Sequence, residues 1–365
     1  MYCNIIDGGD FMEYMSAKDA AEKWGISQRR VAILCSENRI PDASMIGNMW
    51  IIPKNALKPS DARTTRYIEQ DSKKVKPFLK WAGGKTQLLS NIEDFYPFDG
   101  KISRYVEPFV GGGAVLFDIL SKYKLQDVYI SDINAELINA YFIIRDNVDD
   151  LILMLQSMQD IFWPMTTDER KKFYLDKRQK FNDLKLINIS KNSIEKAALM
   201  IFLNKTCFNG LFRVNKKGGF NVPMGAYKKP LICDDANLKN ISKLLENVDI
   251  KCCSYENALT FIDNKTFVYI DPPYRPLSTT ANFTAYTQDV FDDDAQIKLA
   301  EFVDRVNNKG AKVLISNTDP KNVNEDDNFF DLLYGKYNIK RVDATRMINS
   351  KSTGRGKIKE LLIYN

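Results

Sequence analysis

From about residue 76 onward, short solid runs of apolar residues alternate with longer runs whose apolar positions recur every three or four residues. Arg104–Glu107, Asp127–Ser131, Asp249–Cys253, Phe267–Ile270 and Ala311–Ser316 are of the first kind and read as strands. Asn134–Gln156 and Asp293–Asn307 are of the second and read as helices. Solidly apolar strands separated by helices predict a mostly parallel sheet covered on both faces. The last two runs, Asn338–Asp343 and Ile358–Tyr364, are linked through a glycine-containing stretch without helical pattern. They are expected to pair antiparallel at one edge, giving a mixed α/β sheet.

Two regions depart from this alternation. Between about Asp149 and Leu245 the chain is first helical and highly charged (Asp168–Lys185), and a second helix starts at Ser193, with Asn192 and Glu195 at capping-box spacing. Asn204 to Tyr227 then reads as a hairpin rich in amides and basic side chains, turning at Lys216-Lys217-Gly218-Gly219. It is either a ribbon for a major groove, where Arg reads guanine and Asn reads adenine, or a solvated surface hairpin. The other region, residues 11–59, has its own punctuation. Ser16 is placed to cap a helix Ala17–Trp24, Gly25 ends it, Ser27 caps a second helix from Gln28 to about Asn38, and Met45–Ile52 turns on Gly47-Asn48. Helix, turn, helix, hairpin is the order of a winged helix-turn-helix, with Arg29 and Arg30 facing outward. The alternative is a small interaction or oligomerisation module. Residues 60–75 are polar and aperiodic and read as a linker.

Composition removes more chemistry than it adds. At 365 residues, 44% hydrophobic and 27% charged, the chain suits one large globular domain or two unequal ones. No apolar stretch approaches the ~20 residues of a membrane span, and the N-terminus lacks a secretion signal, so a cytoplasmic protein is expected. The six cysteines show no metal-ligand spacing and read as reduced thiols, with no metal expected. The histidine count is zero, which excludes Ser-His-Asp hydrolysis, imidazole acid–base catalysis and histidine-bound zinc. A net charge of +5 is weak support for a polyanionic partner.

Three motifs carry the remaining chemistry. Phe267-Val-Tyr-Ile runs straight into Asp271-Pro272-Pro273-Tyr274. That sets a carboxylate, two rigid prolines and an aromatic ring at the carboxyl end of a strand, where open α/β sheets bind ligands. Aligned acceptors beside a stacking ring suit a flat molecule with an exocyclic amino group, such as a nucleobase. Glu107-Pro108-Phe109-Val110-Gly111-Gly112-Gly113 ends the first strand and opens a helix, so its backbone can approach a ligand closely. The next strand ends at Asp132, where an acid binds ribose hydroxyls in nucleoside-binding folds. Neither the dinucleotide fingerprint nor the P-loop fits these glycines, and Gly83-Gly84-Lys85-Thr86 is only half a P-loop. Trp81 and Lys85 could instead close over a small zwitterion, the lysine meeting its carboxylate; otherwise Trp81 is a packed core indole.

In order along the chain, Lys80-Trp-Ala-Gly-Gly-Lys85, Glu107 to Gly113, Ser131-Asp-Ile-Asn134, the Asn204–Tyr227 ribbon, Asp271 to Tyr274 and Ile315-Ser-Asn317 resemble the Dam-like, class alpha family of DNA adenine methylases. The resemblance runs from about Lys76 to the C-terminus. The N-terminal unit instead looks like the helix-turn-helix modules of excisionase and MerR-type proteins. The resemblance implies a Rossmann-like methyltransferase fold with a seven-stranded sheet, a catalytic domain at 76–150 and 246–365, and an inserted target-recognition domain at 151–245. It implies S-adenosylmethionine as cofactor, held by Trp81, Lys85, Pro108, Phe109, Gly111, Gly113 and Asp132, with Asp271 near both cofactor and substrate. The partner is double-stranded DNA, from which an adenine is flipped onto Tyr274 while Asp271 and the carbonyl of Pro272 accept from its amino group. Phe208, Asn209, Leu211, Arg213 and Pro223 fall where relatives that recognise GATC contact bases, with Asn215, Lys216 and Lys217 beside them. Phe208 stands where those relatives often carry tyrosine. Residues 275–291, including Phe283-Thr-Ala-Tyr286, are expected to order over the flipped base. A cognate restriction endonuclease and a monomeric or weakly dimeric state fit the resemblance. Two other readings stand beside it: a DNA-binding regulator with a vestigial methylase core, and an amino methyltransferase for cytosine-N4 or another target.

Overall fold

The computed structural model describes residues 14–36, 40–47, 49–54, 56, 75–81, 83–184, 193–215, 217–275, 291–345 and 357–365. The expected linker (apart from Val75), residues 276–290, Asn48, Asn192, Lys216 and the side chain of Arg30 lie outside that description. The chain divides into two units, residues 1–73 and 74–365.

In the first unit, strand β1 (Tyr14–Ser16) leads directly into helix α1 (Ala17–Trp24). Ser16 caps it in a reciprocal box: its hydroxyl accepts from the Asp19 amide at 3.2 Å, and the Asp19 carboxylate accepts from the Ser16 amide at 3.1 Å. Gly25 ends α1 in the left-handed conformation, and α2 (Gln28–Ser36) follows. Strands β2 (Ser44–Ile46) and β3 (Met49–Pro53) form the hairpin, and β1 pairs on the other edge of β3, Tyr14 opposite Pro53. Ala20, Val31, Leu34 and Ile52 are buried together. The expected helices and hairpin are present; β1 was not expected, because three residues are too few to show a period.

The second unit begins with a 3₁₀ turn at Lys85–Gln87 and the short helix α3 (Leu89–Glu93). Then follow β4 (Arg104–Glu107), α4 (Ala114–Lys122), β5 (Asp127–Asp132), α5 (Ala135–Asp146), α6 (Val148–Phe162), α7 (Thr167–Asp183), α8 (Ile194–Thr206) and α9 (Asp235–Leu245). The chain closes with β6 (Val248–Cys252), β7 (Thr266–Ile270), α10 (Asp293–Asn308), β8 (Lys312–Thr318), α11 (Phe329–Leu333), β9 (Asn338–Thr345) and β10 (Lys357–Tyr364). The sheet has seven strands in the order β6-β5-β4-β7-β8-β10-β9. The first five are parallel, and β10 is antiparallel to both its neighbours.

Period-two alternation divides the strand residues between two cores, one on each face. Tyr105, Phe267, Tyr269, Leu314 and Leu362 join one; Val106, Val268, Ile270, Ile315 and Ile363 join the other. The expected α/β sheet, including its antiparallel edge, is therefore present. Helices α6, α7 and α8 contribute Leu155, Tyr174 and Leu199 to the first of these cores, so the intervening segment shares its apolar interior with the sheet.

Three local expectations are corrected, and one helix was missed. The helix expected over Asn134–Gln156 is two helices, broken at Asn147 (φ −140°, ψ 39°), because an apolar rhythm persists across a one-residue kink. The second helix of the central block is capped by Ser193, whose hydroxyl accepts from the Lys196 amide at 3.1 Å. Asn204-Lys-Thr206 belongs to α8 and not to the ribbon. Helix α9 was not expected, although Asp234 as its cap and Leu238, Ile241 and Leu245 on its buried side are a helical signature.

Asn204 ties the segment before the sheet to the ribbon. Its amide nitrogen donates to the carbonyls of Lys80 (2.8 Å) and Gly210 (2.9 Å), and its oxygen accepts from the Lys80 amide (2.8 Å). Replacing it with Leu strands three backbone groups, the Gly210 carbonyl buried and the two of Lys80 partly so, each worth about 1–3 kcal/mol when fully buried. Asn204→Leu is expected to lower unfolding free energy by at least about 3 kcal/mol in urea titration; a loss below about 1 kcal/mol would show that water satisfies those groups.

Candidate active site

The strand order reverses between β4 and β7: the chain passes from β4 outward through β5 to β6, then returns to β7 on the other side of β4. The loops after β4 and β7 therefore open a crevice at the carboxyl edge of the sheet, where such folds bind ligands. Both main motifs sit there.

After β4, the amide of Gly111 donates to Asp132 at 3.2 Å, and Tyr141 of α5 donates its hydroxyl proton to the Gly111 carbonyl at 3.0 Å. Gly113 has φ +73° and serves as the N-cap of α4. A Cβ on Gly111 would come within 2.9 Å of the Trp81 ring, and one on Gly113 within 2.5 Å of the Tyr141 hydroxyl. Gly111 too has a positive φ (+46°), so glycine is demanded by close approach and by backbone sign at both positions. Trp81 stacks on Phe212 of the ribbon with ring centroids 5.4 Å apart and an interplanar angle of 28°. Asp132 receives amide hydrogen bonds on both oxygens, from Asn134 (2.9 Å) and Gly111. Burial pushes its carboxyl up, and those amides pull it part of the way back. Phe109 faces the opposite core, stacked on Tyr255. Pro108 is buried, its carbonyl 3.5 Å from the Ser131 hydroxyl.

After β7, Asp271 meets Lys85. The ammonium is 2.6 Å from Asp271 Oδ1, and it also donates to the Gly83 carbonyl (2.9 Å) and the Tyr274 hydroxyl (2.8 Å). Lys85 is 3% exposed, yet its charge is held: burial opposes it, and Asp271, Tyr274 and Glu360 together more than offset that, raising its pKa. Ser316 of β8 also donates to Asp271 Oδ1 at 3.0 Å and lies 2.8 Å from the Tyr269 hydroxyl. Asp271 Oδ2 bonds no described residue, and the side chain is 20% exposed. Burial pushes the Asp271 carboxyl up, and Lys85 and Ser316 oppose the shift. The Tyr274 hydroxyl donates to both oxygens of Glu360 on β10, at 3.0 and 3.2 Å. The Pro273 carbonyl accepts from the fully buried amide of Gln296 at 3.1 Å, which fixes the proline pair from α10. One acceptor oxygen remains presented beside a pinned aromatic ring.

The sequence reading placed Glu107 in the loop motif without a role of its own, and missed Gln296 and Glu360. Glu107 is buried at the end of β4, accepts from Tyr105 at 2.7 Å and has its carboxyl pushed up by burial. An acid closing an otherwise buried strand was the available signal. Glu360 begins an apolar run, Leu361-Leu362-Ile363, and resembles an ordinary solvent-facing residue at a strand start.

On the ribbon, Phe208 is 52% exposed and Asn209 has φ +56°. Arg213 and Pro223 are exposed, Leu211 half-buried. Arg213 Nε donates to Asn221 at 2.9 Å, which leaves the guanidinium's terminal nitrogens for another acceptor. Asn215 commits its oxygen to the amides of Lys217 (2.9 Å) and Gly219 (3.1 Å), so it builds the turn. Lys217 is exposed. Phe212 and Phe220 are buried, so these ribbon aromatics pack inward. Arg29 is exposed on the first turn of α2, in the separate N-terminal unit.

The family described as D12 class N6 adenine-specific DNA methyltransferase matches residues 81–348, spanning both loops, the ribbon and Asp271–Tyr274. The chain belongs to that family. This methyltransferase is 51% identical over 295 residues to the type II methyltransferase M.MjaIII of Methanocaldococcus jannaschii, covering 80% of this chain and 99% of that one. It is 37% identical over 300 residues to M1.LlaDCHI of Lactococcus lactis subsp. cremoris, covering 82% and 98%. It is likewise 37% identical over 291 residues to the DNA adenine methylase of Escherichia coli, covering 80% and 95%. The N-terminal unit precedes the family match. No described helix of the methyltransferase is long and apolar enough to cross a membrane.

Gly113→Ala places a methyl group against Tyr141 and Phe117 at a left-handed residue. It is expected to destabilise the methyltransferase by about 2–4 kcal/mol, combining backbone strain with overpacking. Thermal and urea unfolding measure it; stability within about 0.5 kcal/mol of the parent would mean that the loop relaxes freely.

Proposed function

We propose that the chain transfers a methyl group from S-adenosylmethionine to the N6 amino group of an adenine flipped out of double-stranded DNA, within GATC or a related GAT-containing site. The observation that carries this reading is the Asp271–Tyr274 turn: one carboxylate oxygen anchored by Lys85 and Ser316, the other presented beside a hydroxyl-pinned ring. Family membership supplies the reaction class.

The neighbouring residues fit the cofactor. Gly111 lets the Trp81 indole close against the loop, and the Asp132 oxygens keep lone pairs for ribose hydroxyls. When bound, S-adenosylmethionine supplies an electrophilic methyl on a sulfonium, which regains the electron pair of the broken bond. Trp81, Asp132 and the 108–113 loop would hold it on the β4–β5 side of the crevice. On the β7 side, Tyr274 would stack on the adenine while Asp271 Oδ2 and the Pro272 carbonyl accept from its amine. Those two bonds favour a pyramidal nitrogen with its lone pair directed at the methyl. The amine becomes acidic once alkylated and releases its proton to water, so no strong base is needed. Positioning supplies the rate, with effective molarities worth up to about 7–11 kcal/mol of barrier, and the absence of histidine is no handicap.

Arg213 is the proposed guanine reader, flanked by Phe208, Asn209, Leu211 and Pro223. For the N-terminal unit, the exposed Arg29 on α2 beside a hairpin supports a helix-turn-helix contact with DNA. Relatives named type II methyltransferases support a restriction-modification setting with an endonuclease acting on the same site.

The test is transfer of radiolabelled methyl to duplexes with and without GATC, followed by nucleoside analysis. N6-methyl-2′-deoxyadenosine confined to GATC-containing duplexes is expected; label in cytosine, RNA or protein, or none, would overturn the reading. Asp271→Asn keeps an oxygen for Lys85 and turns a donor toward the substrate amine. Transfer is expected to fall at least about 100-fold. Asp271→Ala is the poorer variant, because it leaves Lys85 buried without its counter-charge.

A further inference from the structure

We propose that Glu360, on the last strand of the sheet, is a positioning residue for methyl transfer that fixes the Tyr274 ring through its hydroxyl. The inference rests on the reaction proposed above and adds to it a carboxylate that lies 86 residues beyond Tyr274.

Glu360 is 6% exposed and stands on β10 opposite Thr318 of β8. A carboxylate is rarely buried so deeply unless its oxygens are hydrogen-bonded. Both oxygens of Glu360 accept from the Tyr274 hydroxyl, and Oε2 lies 3.9 Å from the Lys85 ammonium. Lys85 in turn donates to the same hydroxyl at 2.8 Å. The hydroxyl therefore receives from a fixed ammonium on one side and gives to a fixed carboxylate on the other. Its oxygen is pinned between residues from opposite ends of the unit. A tyrosine held only at Cα can swing about two side-chain bonds; one held also at its hydroxyl presents its face in one orientation. That orientation matters because the stacked base must place its amine within reach of Asp271. Glu360 thus acts through Tyr274 and need not touch the substrate.

The charges around Asp271 are coupled. The ionisable groups around Asp271 are Lys85 from the 3₁₀ turn, Glu107 from β4, Tyr269 and Tyr274 on its own segment, and Glu360 from β10. Lys85 favours ionised Asp271, and the Asp271 charge in turn pushes the Glu360 and Glu107 carboxyls up. An ionised Asp271 is the form that accepts from the amine, so activity falls as pH drops through its pKa. Burial places that acid limb above the ordinary carboxylate range of about 4.

The experiment compares the full chain with Glu360→Ala, Glu360→Gln, Tyr274→Phe and the double variant Glu360→Ala/Tyr274→Phe, measuring kcat/KM on a GATC duplex across pH. Glu360→Ala is expected to lose about tenfold or more, and Glu360→Gln, which keeps an acceptor for the hydroxyl, to stay within about threefold. In the Tyr274→Phe background, adding Glu360→Ala should cost less than about threefold, since the hydroxyl it acts through is already gone. Glu360→Ala within threefold of the parent, or an equal loss in both backgrounds, would overturn the inference. If Glu360→Ala does not fold, Tyr274→Phe, which removes the pinned hydroxyl, decides: kcat/KM within threefold of the parent would overturn the inference. Absence of transfer by the parent chain would overturn the reaction itself and this inference with it; normal parental transfer with indifferent variants would overturn the inference alone.

Discussion

One buried ammonium holds the crevice together. Lys85 lies in a 3₁₀ turn ahead of the sheet, and its nitrogen reaches the Gly83 carbonyl, Asp271, Tyr274 and, at longer range, Glu360. Residues from the start, middle and end of the second unit are thereby fixed around a single charge. Burying an ion costs several kcal/mol, and the pair repays it only where geometry is good and every remaining proton and lone pair is occupied. Here three short contacts satisfy the three protons of the ammonium. A buried charge with such complete satisfaction is costly to disturb from any side.

The arrangement gives the two halves of the crevice different chemistry. On the β4–β5 side the polar groups are backbone amides, glycine carbonyls and Asp132, a surface for hydroxyls and a charged amino acid moiety. On the β7–β10 side the polar groups are two carboxylates sharing one ammonium, with a phenol between them. That side carries an excess of negative charge and one outward-facing carboxylate oxygen, which suits a neutral amine that must give hydrogen bonds. The ribbon, anchored through Asn204 and the Trp81–Phe212 stack, exposes Phe208, Arg213 and Pro223 on the same polypeptide unit.

Much of this was legible in the sequence because parallel strands buried on both faces leave solid apolar runs, and β4, β5, β7 and β8 show them within a residue or two. The antiparallel edge was legible from the missing helix between the last two runs. The Asp271–Tyr274 turn and the glycine loop were visible because rigid or bare backbone has few uses at a strand end. What stayed hidden was long-range pairing. Nothing local in Lys85-Thr-Gln says that its ammonium reaches a carboxylate 186 residues away. Glu360 and Gln296 were hidden for the same reason: a polar residue adjoining an apolar run reads as solvent-facing until its partner is located. The kink at Asn147 and the extra turn of α8 through Thr206 were hidden because periodicity reports a face and not an end.

The account stands on the mutual dependence of Lys85 and Asp271, and a double-mutant cycle in unfolding free energy measures it directly. The chains compared are the parent, Lys85→Met, Asp271→Asn and the variant carrying both substitutions. If the two groups stabilise each other as a buried pair, the double variant loses at least about 1 kcal/mol less than the sum of the single losses. Losses that add within about 0.5 kcal/mol would show that the two residues do not depend on one another, and would contradict the account.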